Sequence, residues 1–401
     1  MKFVVYLKEI SDSRTIYLDN ASSTPVLKEV IDEMIPYLGI KFGNPSSVHQ
    51  YGRESKLAMH RARKRVAQLI NAEPNEIFFT SGGTESDNIA ISGVAKYSRI
   101  RNKCKNHIVT SSIEHDAIIE TCKDLMIEDF KITFLPVDKY GAINPKDLKN
   151  AITKNTILVS IMYANNEVGT IQPIKELLKL TKEINKEIIF HSDAVQAVGR
   201  LPLDMKDINI DMMSLSSHKI YGPKGVGAIF IRKGIKTKSI IHGGGQERTL
   251  RSGTENVHGI IGFGKACEIA KNTLNKNIQQ YEMLRDRLIK GVIKIPNSRL
   301  NGSKENRLSN NAHFTFFKIN GEDLVTKLDE NRVYTSTGSA CSVNKQKPSH
   351  VLKAMGFNHE EITGSLRISI GIQNSVKDID NTIKILRDNI NELRKITPFK
   401  S

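Results

Sequence analysis

Between residues 76 and 231 the chain alternates short β-branched and aromatic runs with stretches whose apolar positions recur at helical spacing. The runs at 76–80, 107–111, 131–136, 156–162, 187–191, 211–214 and 227–231 predict strands. Those between them, such as 84–97, 116–127 and 174–184, predict amphipathic helices. Such alternation implies a mostly parallel sheet covered by helices. A long helical pattern from 257 to about 290 then leaves this core. It is apolar at Ile260, Ile261, Phe263 and Ala266 and strongly polar around 272–280. From roughly 292 onward, strands at 312–317 and 365–370 mix with helices at 323–330, 350–355 and 376–393. The pattern implies an α/β protein with a large mostly parallel-sheet domain over 15–262. A smaller α+β domain is expected from 1–14 plus 263–401.

Composition supports two domains, because 401 residues exceed the size at which one hydrophobic core keeps growing. The formal charge of +16 suits tRNA, an acidic carrier protein or anionic metabolites, and equally suits a Lys-rich solvated surface. The basic residues are dispersed, with no basic stripe interleaved with aromatics, so direct nucleic-acid binding is not expected. The four cysteines, Cys104, Cys122, Cys267 and Cys341, have neither C-x-x-C nor zinc-site spacing. Their scarcity fits a reducing, cytoplasmic setting better than a disulfide framework. The charged N-terminus is too short an apolar run for a signal peptide, and no stretch is long enough to span a membrane.

Four segments carry candidate chemistry. Ser81-Gly82-Gly83-Thr84-Glu85-Ser86-Asp87-Asn88 follows a predicted strand and opens a helix. It is either an ordinary turn or a phosphate cradle of glycine backbone, Thr84 hydroxyl and helix N-terminus. His191-Ser192-Asp193-Ala194-Val195-Gln196 stands after a buried strand, where α/β sheets bind ligands. Asp193 there caps the next helix or pairs with a protonated heterocyclic nitrogen. Lys219 follows Ser216-Ser217-His218 and precedes a Gly/Pro turn. It is an exposed loop lysine or one placed to form a Schiff base, with Ser216 and His218 as phosphate donors. Cys341 lies between Gly338-Ser339-Ala340 and a polar, lysine-containing stretch. A lone cysteine is commonly a small hydrophobe. This setting predicts instead an exposed, mobile loop that favours thiolate.

Together these segments resemble fold-type I pyridoxal-phosphate enzymes, and among them the cysteine desulfurases of the NifS/IscS class, long-loop group. The resemblance runs from Tyr17-Leu18-Asp19-Asn20-Ala21 to Gly371 and includes Asn165-Asn166-Glu167-Val168-Gly169 and Arg251-Ser252-Gly253-Thr254. It implies pyridoxal 5'-phosphate as cofactor, held covalently by Lys219. Asp193 would keep the pyridine nitrogen protonated, and Gln196 and Asn165 would lie at the phenolic edge. His115 would stack on the ring and move protons. Gly83, Thr84, Ser216 and His218 would hold the phosphate, and Thr254 would reach the phosphate of a second subunit, implying a homodimer. Arg367, with Asn165, would bind the substrate, its guanidinium gripping the carboxylate.

The activity implied is removal of sulfur from L-cysteine, giving L-alanine and a persulfide on Cys341. A sulfur-acceptor protein, either an iron–sulfur scaffold or a thiolation enzyme, would follow. Residues 343–347 are bulkier and more basic than is usual in the family's loop. Many members also carry a C-terminal extension that docks the scaffold, which the end at Ser401 does not match. A selenocysteine lyase or another fold-type I enzyme is the nearest alternative. A non-catalytic binding protein fits less well, since Lys219, Asp193, Gln196, His115 and Cys341 are all present.

Overall fold

The computed structural model describes residues 15–337 and 348–396. In chain order the first strands are β1 (Ile16–Tyr17), β2 (Ile77–Thr80), β3 (His107–Ser111), β4 (Lys131–Leu135), β5 (Thr156–Ser160) and β6 (Ile189–Asp193). They continue with β7 (Met212–Ser216), β8 (Gly227–Ile231), β9 (Ser298–Asn301), β10 (Asn311–Phe316), β11 (Val333–Tyr334) and β12 (Ser365–Ser369). One seven-stranded sheet has the order β2-β8-β7-β6-β5-β3-β4. Only β8 runs against its neighbours, β7 and β2. The 217–226 connection between β7 and β8 is too short for the crossover that a parallel return needs.

Side chains alternate across this sheet, so each strand feeds two cores. In β7, Met212 packs with Ile108, Leu158 and Ile229 on one face, while Met213 and Leu215 join Phe190 and Phe230 on the other. Helices Gly83–Arg101, Asp116–Ile127 and Ile174–Ile184 lie in the crossovers, and the last two have the bounds that periodicity implied. Strands β6 and β7 run two residues further than their apolar pattern. Their polar ends are sealed by mutual hydrogen bonding: His191 lies between Ser160 Oγ (2.9 Å) and Ser214 Oγ (3.0 Å). Paired buried polar groups read as loop in a sequence but persist in a strand.

The 36-residue helix Val257–Val292 links two cores. Phe263, Ala266, Cys267 and Ala270 pack in the first, whereas Tyr281, Leu284, Leu288 and Val292 pack with Phe314, Phe316, Leu366 and Ile368. The second core covers the antiparallel sheet β12-β10-β9 and also takes in Ile16 and Leu18, beside the parallel pair β1–β11. Packing therefore carries residues 16–18 to the second core and 263–270 to the first, each across the boundaries of 15–262 and 263–401 drawn from periodicity. No described helix is long and apolar enough to cross a membrane.

Candidate active site

The parallel strands end on one side, and their C-terminal ends converge on a cavity of about 330 Å³. Gly83, Thr84, His115, Asp193, Gln196, Ser216, His218, Lys219 and Arg367 all line it. Nine residues spread over 285 positions are thus brought together by the ends of β2, β3, β6 and β7 and by the middle of β12. A neighbouring cavity of about 340 Å³ shares Gly83, Thr84, Ser216 and His218 and adds Gly82 and Lys224.

Lys219 follows β7 and is buried, with Nζ donating to the carbonyls of Ala21 and Ser22, each at 2.7 Å. The Ala21 carbonyl also accepts from Gln196 Nε2 at 3.0 Å. The segment after β1 thus closes over the lysine. Asp193 ends β6, its Oδ1 accepting the Val195 amide at 2.8 Å. Burial holds its carboxyl above the usual range, against the opposing pull of the His115 and Lys219 charges. His115 caps helix Asp116–Ile127, its Nδ1 accepting the Ala117 amide at 3.1 Å. That bond assigns the ring proton of neutral His115 to Nε2.

The phosphate-sized end is built from backbone. Helix Gly83–Arg101 presents its free N-terminal amides there. A Cβ on Gly83 would lie 2.7 Å from Val195 Cγ2, so only glycine allows this approach. Glu85, the one acid lining the neighbouring cavity, is tied to Arg251 Nε at 2.9 Å. His218 contacts Ser23 Oγ at 3.2 Å, and burial and neighbouring cations push it down to about 4, so it is neutral. A cradle that any side chain would fill, a buried lysine and a buried aspartate match the phosphate, aldehyde and ring nitrogen of pyridoxal 5'-phosphate. The residues present fit that group.

Arg367 on β12 is among the most buried side chains, with Nη2 donating to Asp19 Oδ1 (2.8 Å) and Ser22 Oγ (2.6 Å). Its Nη1 donates to the Asn166 carbonyl at 3.1 Å. Asn165 does not line the cavity. It is fully buried, donating to the Ile113 carbonyl and accepting the Glu167 and Val168 amides, and its neighbour Asn166 faces the pocket instead. Thr254 is exposed and lines neither cavity. Cys341 lies outside the described residues.

Asp87 also lines the cavity, one helical turn beyond Gly83 on the same face, a spacing already present in the 81–88 segment. Its Oδ1 is buried without a hydrogen bond, and burial and the Asp193 charge raise it well above the usual carboxylate range. Glu114, beside His115, is held by the Ser111 hydroxyl and the Met162 amide, and burial pushes it up to about 8 from 4.5. Below 4.5 both folded and unfolded chains keep that proton, and its contribution to stability is full. As pH rises from 4.5 to about 8 only the unfolded chain releases it, so stability falls across this window and the contribution is gone above it. Thermal unfolding followed from pH 5 to 9 should show a decline that Glu114→Gln flattens by a few kcal/mol. Equal slopes in the two proteins would show that Glu114 is ionised in the fold.

A family model described as aminotransferase class-V matches residues 16–382. The cysteine desulfurase IscS of Methanosarcina thermophila is 50% identical over 389 residues, covering 97% of this chain and 95% of its own. Among solved structures, a NifS-like protein superposes with a TM-score of 0.89 at 39% identity, covering 94% of this chain and 100% of its own. A protein named SspA, solved in complex with cysteine, gives 0.79 at 37% identity over 89% of this chain and 99% of its own. The chain belongs to the class-V aminotransferases, a pyridoxal-phosphate-dependent family, and within it to the cysteine desulfurases.

Proposed function

We propose that the protein takes sulfur from L-cysteine, using Lys219 to hold the cofactor and move the substrate's protons and Cys341 to receive the sulfur. The observation that carries this reading is the convergence of Lys219, Asp193 and Arg367 on one cavity. When bound, pyridoxal 5'-phosphate supplies the electron sink that weakens the substrate's Cα–H and Cβ–S bonds. Asp193, buried at the end of β6, would pair with the ring nitrogen. Gln196 and His115 would hold the ring, and the 83–84 turn with Ser216 and His218 would hold the phosphate.

Arg367 takes the substrate carboxylate in two-pronged fashion, its orientation set by Asp19 and Ser22. Lys219 Nζ would remove the α-proton and later return one. The Cys341 thiolate attacks the substrate sulfur. The Cβ–S bond breaks as the new S–S bond forms, so L-cysteine plus the Cys341 thiol becomes L-alanine plus the Cys341 persulfide. An external thiol or an acceptor protein then takes the terminal sulfur. The same reading makes the protein a cytoplasmic homodimer in which Thr254 reaches the partner's phosphate cradle. Its sulfur goes to iron–sulfur cluster assembly or to a thiolation enzyme.

Purified protein given L-cysteine and dithiothreitol should release alanine and sulfide in equal amounts. Alanine without sulfide, or neither, would overturn the reading. In Arg367→Lys, the KM for L-cysteine should rise roughly tenfold or more, because an ammonium cannot match the planar fork. Steady-state sulfide release measures this, and an unchanged KM removes Arg367 from the carboxylate site.

A further inference from the structure

A separate cavity of about 200 Å³ also touches Lys219 and takes no part in the chemistry above. Arg200, Tyr221, Lys276, Asn277 and Tyr281 line it, and no carboxylate does. Arg200, in the turn after β6, is buried. Its guanidinium donates to the carbonyls of Lys219 (Nη2, 2.9 Å), Gln196 (Nη1, 3.3 Å) and Asn20 (Nη2, 3.5 Å). A guanidinium has five N–H donors. The Nε–H and one Nη1–H therefore have no acceptor among the described residues. The titratable side chains acting on it are the phenols of Tyr221 and Tyr281, not an acid. A buried cation compensated only by carbonyl dipoles is costly unless an anion joins it.

The two phenols give an independent count. Tyr221 and Tyr281 share one O···O contact of 3.1 Å, and the Tyr221 oxygen also accepts the Ile372 amide at 2.9 Å. One hydroxyl proton serves that contact. The other has no acceptor among the described residues, whichever phenol donates. Both side chains are buried, so the spare proton faces this cavity or nothing. Two guanidinium protons and one phenol proton are thus left around one space, with the exposed Lys276 at its edge.

We propose that this cavity binds a small oxyanion lacking an ammonium group, of the phosphate or simple carboxylate type. The volume of about 200 Å³ has room for a small oxyanion with its bound waters, and the two cations disfavour an amino acid. Because Arg200 also holds the Lys219 and Gln196 carbonyls, the occupied site bears directly on two residues of the cofactor pocket.

Calorimetric titration of the cofactor-loaded enzyme with inorganic phosphate, and separately with acetate, tests this. At least one anion should bind saturably, and whichever binds tighter tells a phosphate-type ligand from a carboxylate. Arg200→Gln should abolish binding. Should that variant fail to fold, the double variant Tyr221→Phe/Tyr281→Phe should weaken it about tenfold, the loss of one good hydrogen bond to a charged group. Lys276→Gln, on an exposed helix surface, should weaken it by a smaller factor and reduce its salt sensitivity. Arg367→Lys should leave it unchanged. Absence of saturable binding for both anions overturns the proposal, as does binding indifferent to the two phenols or lost in Arg367→Lys. The outcome is independent of whether L-cysteine is the substrate.

Discussion

Replacing Cys341 with alanine should lower sulfide and alanine release on the order of a thousandfold or more, while the cofactor's visible absorbance persists. No other thiol in the described residues can substitute. Cys122 and Cys267 are buried and fully enclosed, and burial pushes the Cys122 thiol up to about 12 and Cys267 well above the ordinary value. Cys104 is exposed but lines neither cavity of the cofactor site. In the proposed function Arg367 and Lys219 engage L-cysteine without Cys341, so the absorbance should still change on adding substrate. The separation of binding from sulfur release is the diagnostic result. Release within tenfold of the unaltered enzyme would mean that sulfur leaves by another route.

Lys219→Ala should be the second severe lesion, with turnover reduced on the order of ten-thousandfold, because in the proposed function one side chain both tethers the cofactor and moves the proton. The readout need not be activity. Borohydride treatment followed by intact-mass measurement should add the cofactor's mass to the unaltered chain and not to Lys219→Ala. The phosphate cradle does not depend on Lys219 Nζ, so the variant should keep the cofactor by non-covalent contacts and release it on dialysis. Covalent cofactor retained in the variant would move the attachment to another lysine. Circular dichroism guards against misfolding, since the Ala21 and Ser22 carbonyls lose their shared donor.

Most of the large sheet was legible because its strands are apolar runs separated by helices of clear period. Strands β1, β9 and β11 escaped, and for β1 and β11 the evidence is not local. β1 and β11 are two residues each and exist only because Ile16 and Tyr17 pair with Val333 and Tyr334. The ends of β6 and β7 are polar, and their burial depends on partners such as Ser160 and Ser214 that no window of sequence brings together. At the site, residue chemistry pointed to the phosphate turn, Asp193 and Lys219 as a consistent set, and all line one cavity. The choice between Asn165 and Asn166 was not legible. Adjacent identical residues differ only in which way the backbone turns, and the turn is fixed by Asn165 holding three backbone groups. Asp87 escaped for a different reason: its significance lies in a buried Oδ1 that no hydrogen bond reaches, which is a property of the assembled pocket.

The pairing of β2 with β8 joins residues 77–80 to residues 227–231, and its consequence lies in the order of synthesis. The turn at Gly83 and Thr84 leaves the ribosome early, yet the strand that anchors it beside β7 is made some 150 residues later. At about 5–20 residues per second, the nascent chain spends roughly seven to thirty seconds with half a cradle. Loop closure over that span is slow and non-local. Cofactor capture therefore belongs to the late stage of biogenesis: a chain interrupted before β8 carries most of the pocket's residues but lacks the strand that seats the Gly83 turn beside β7.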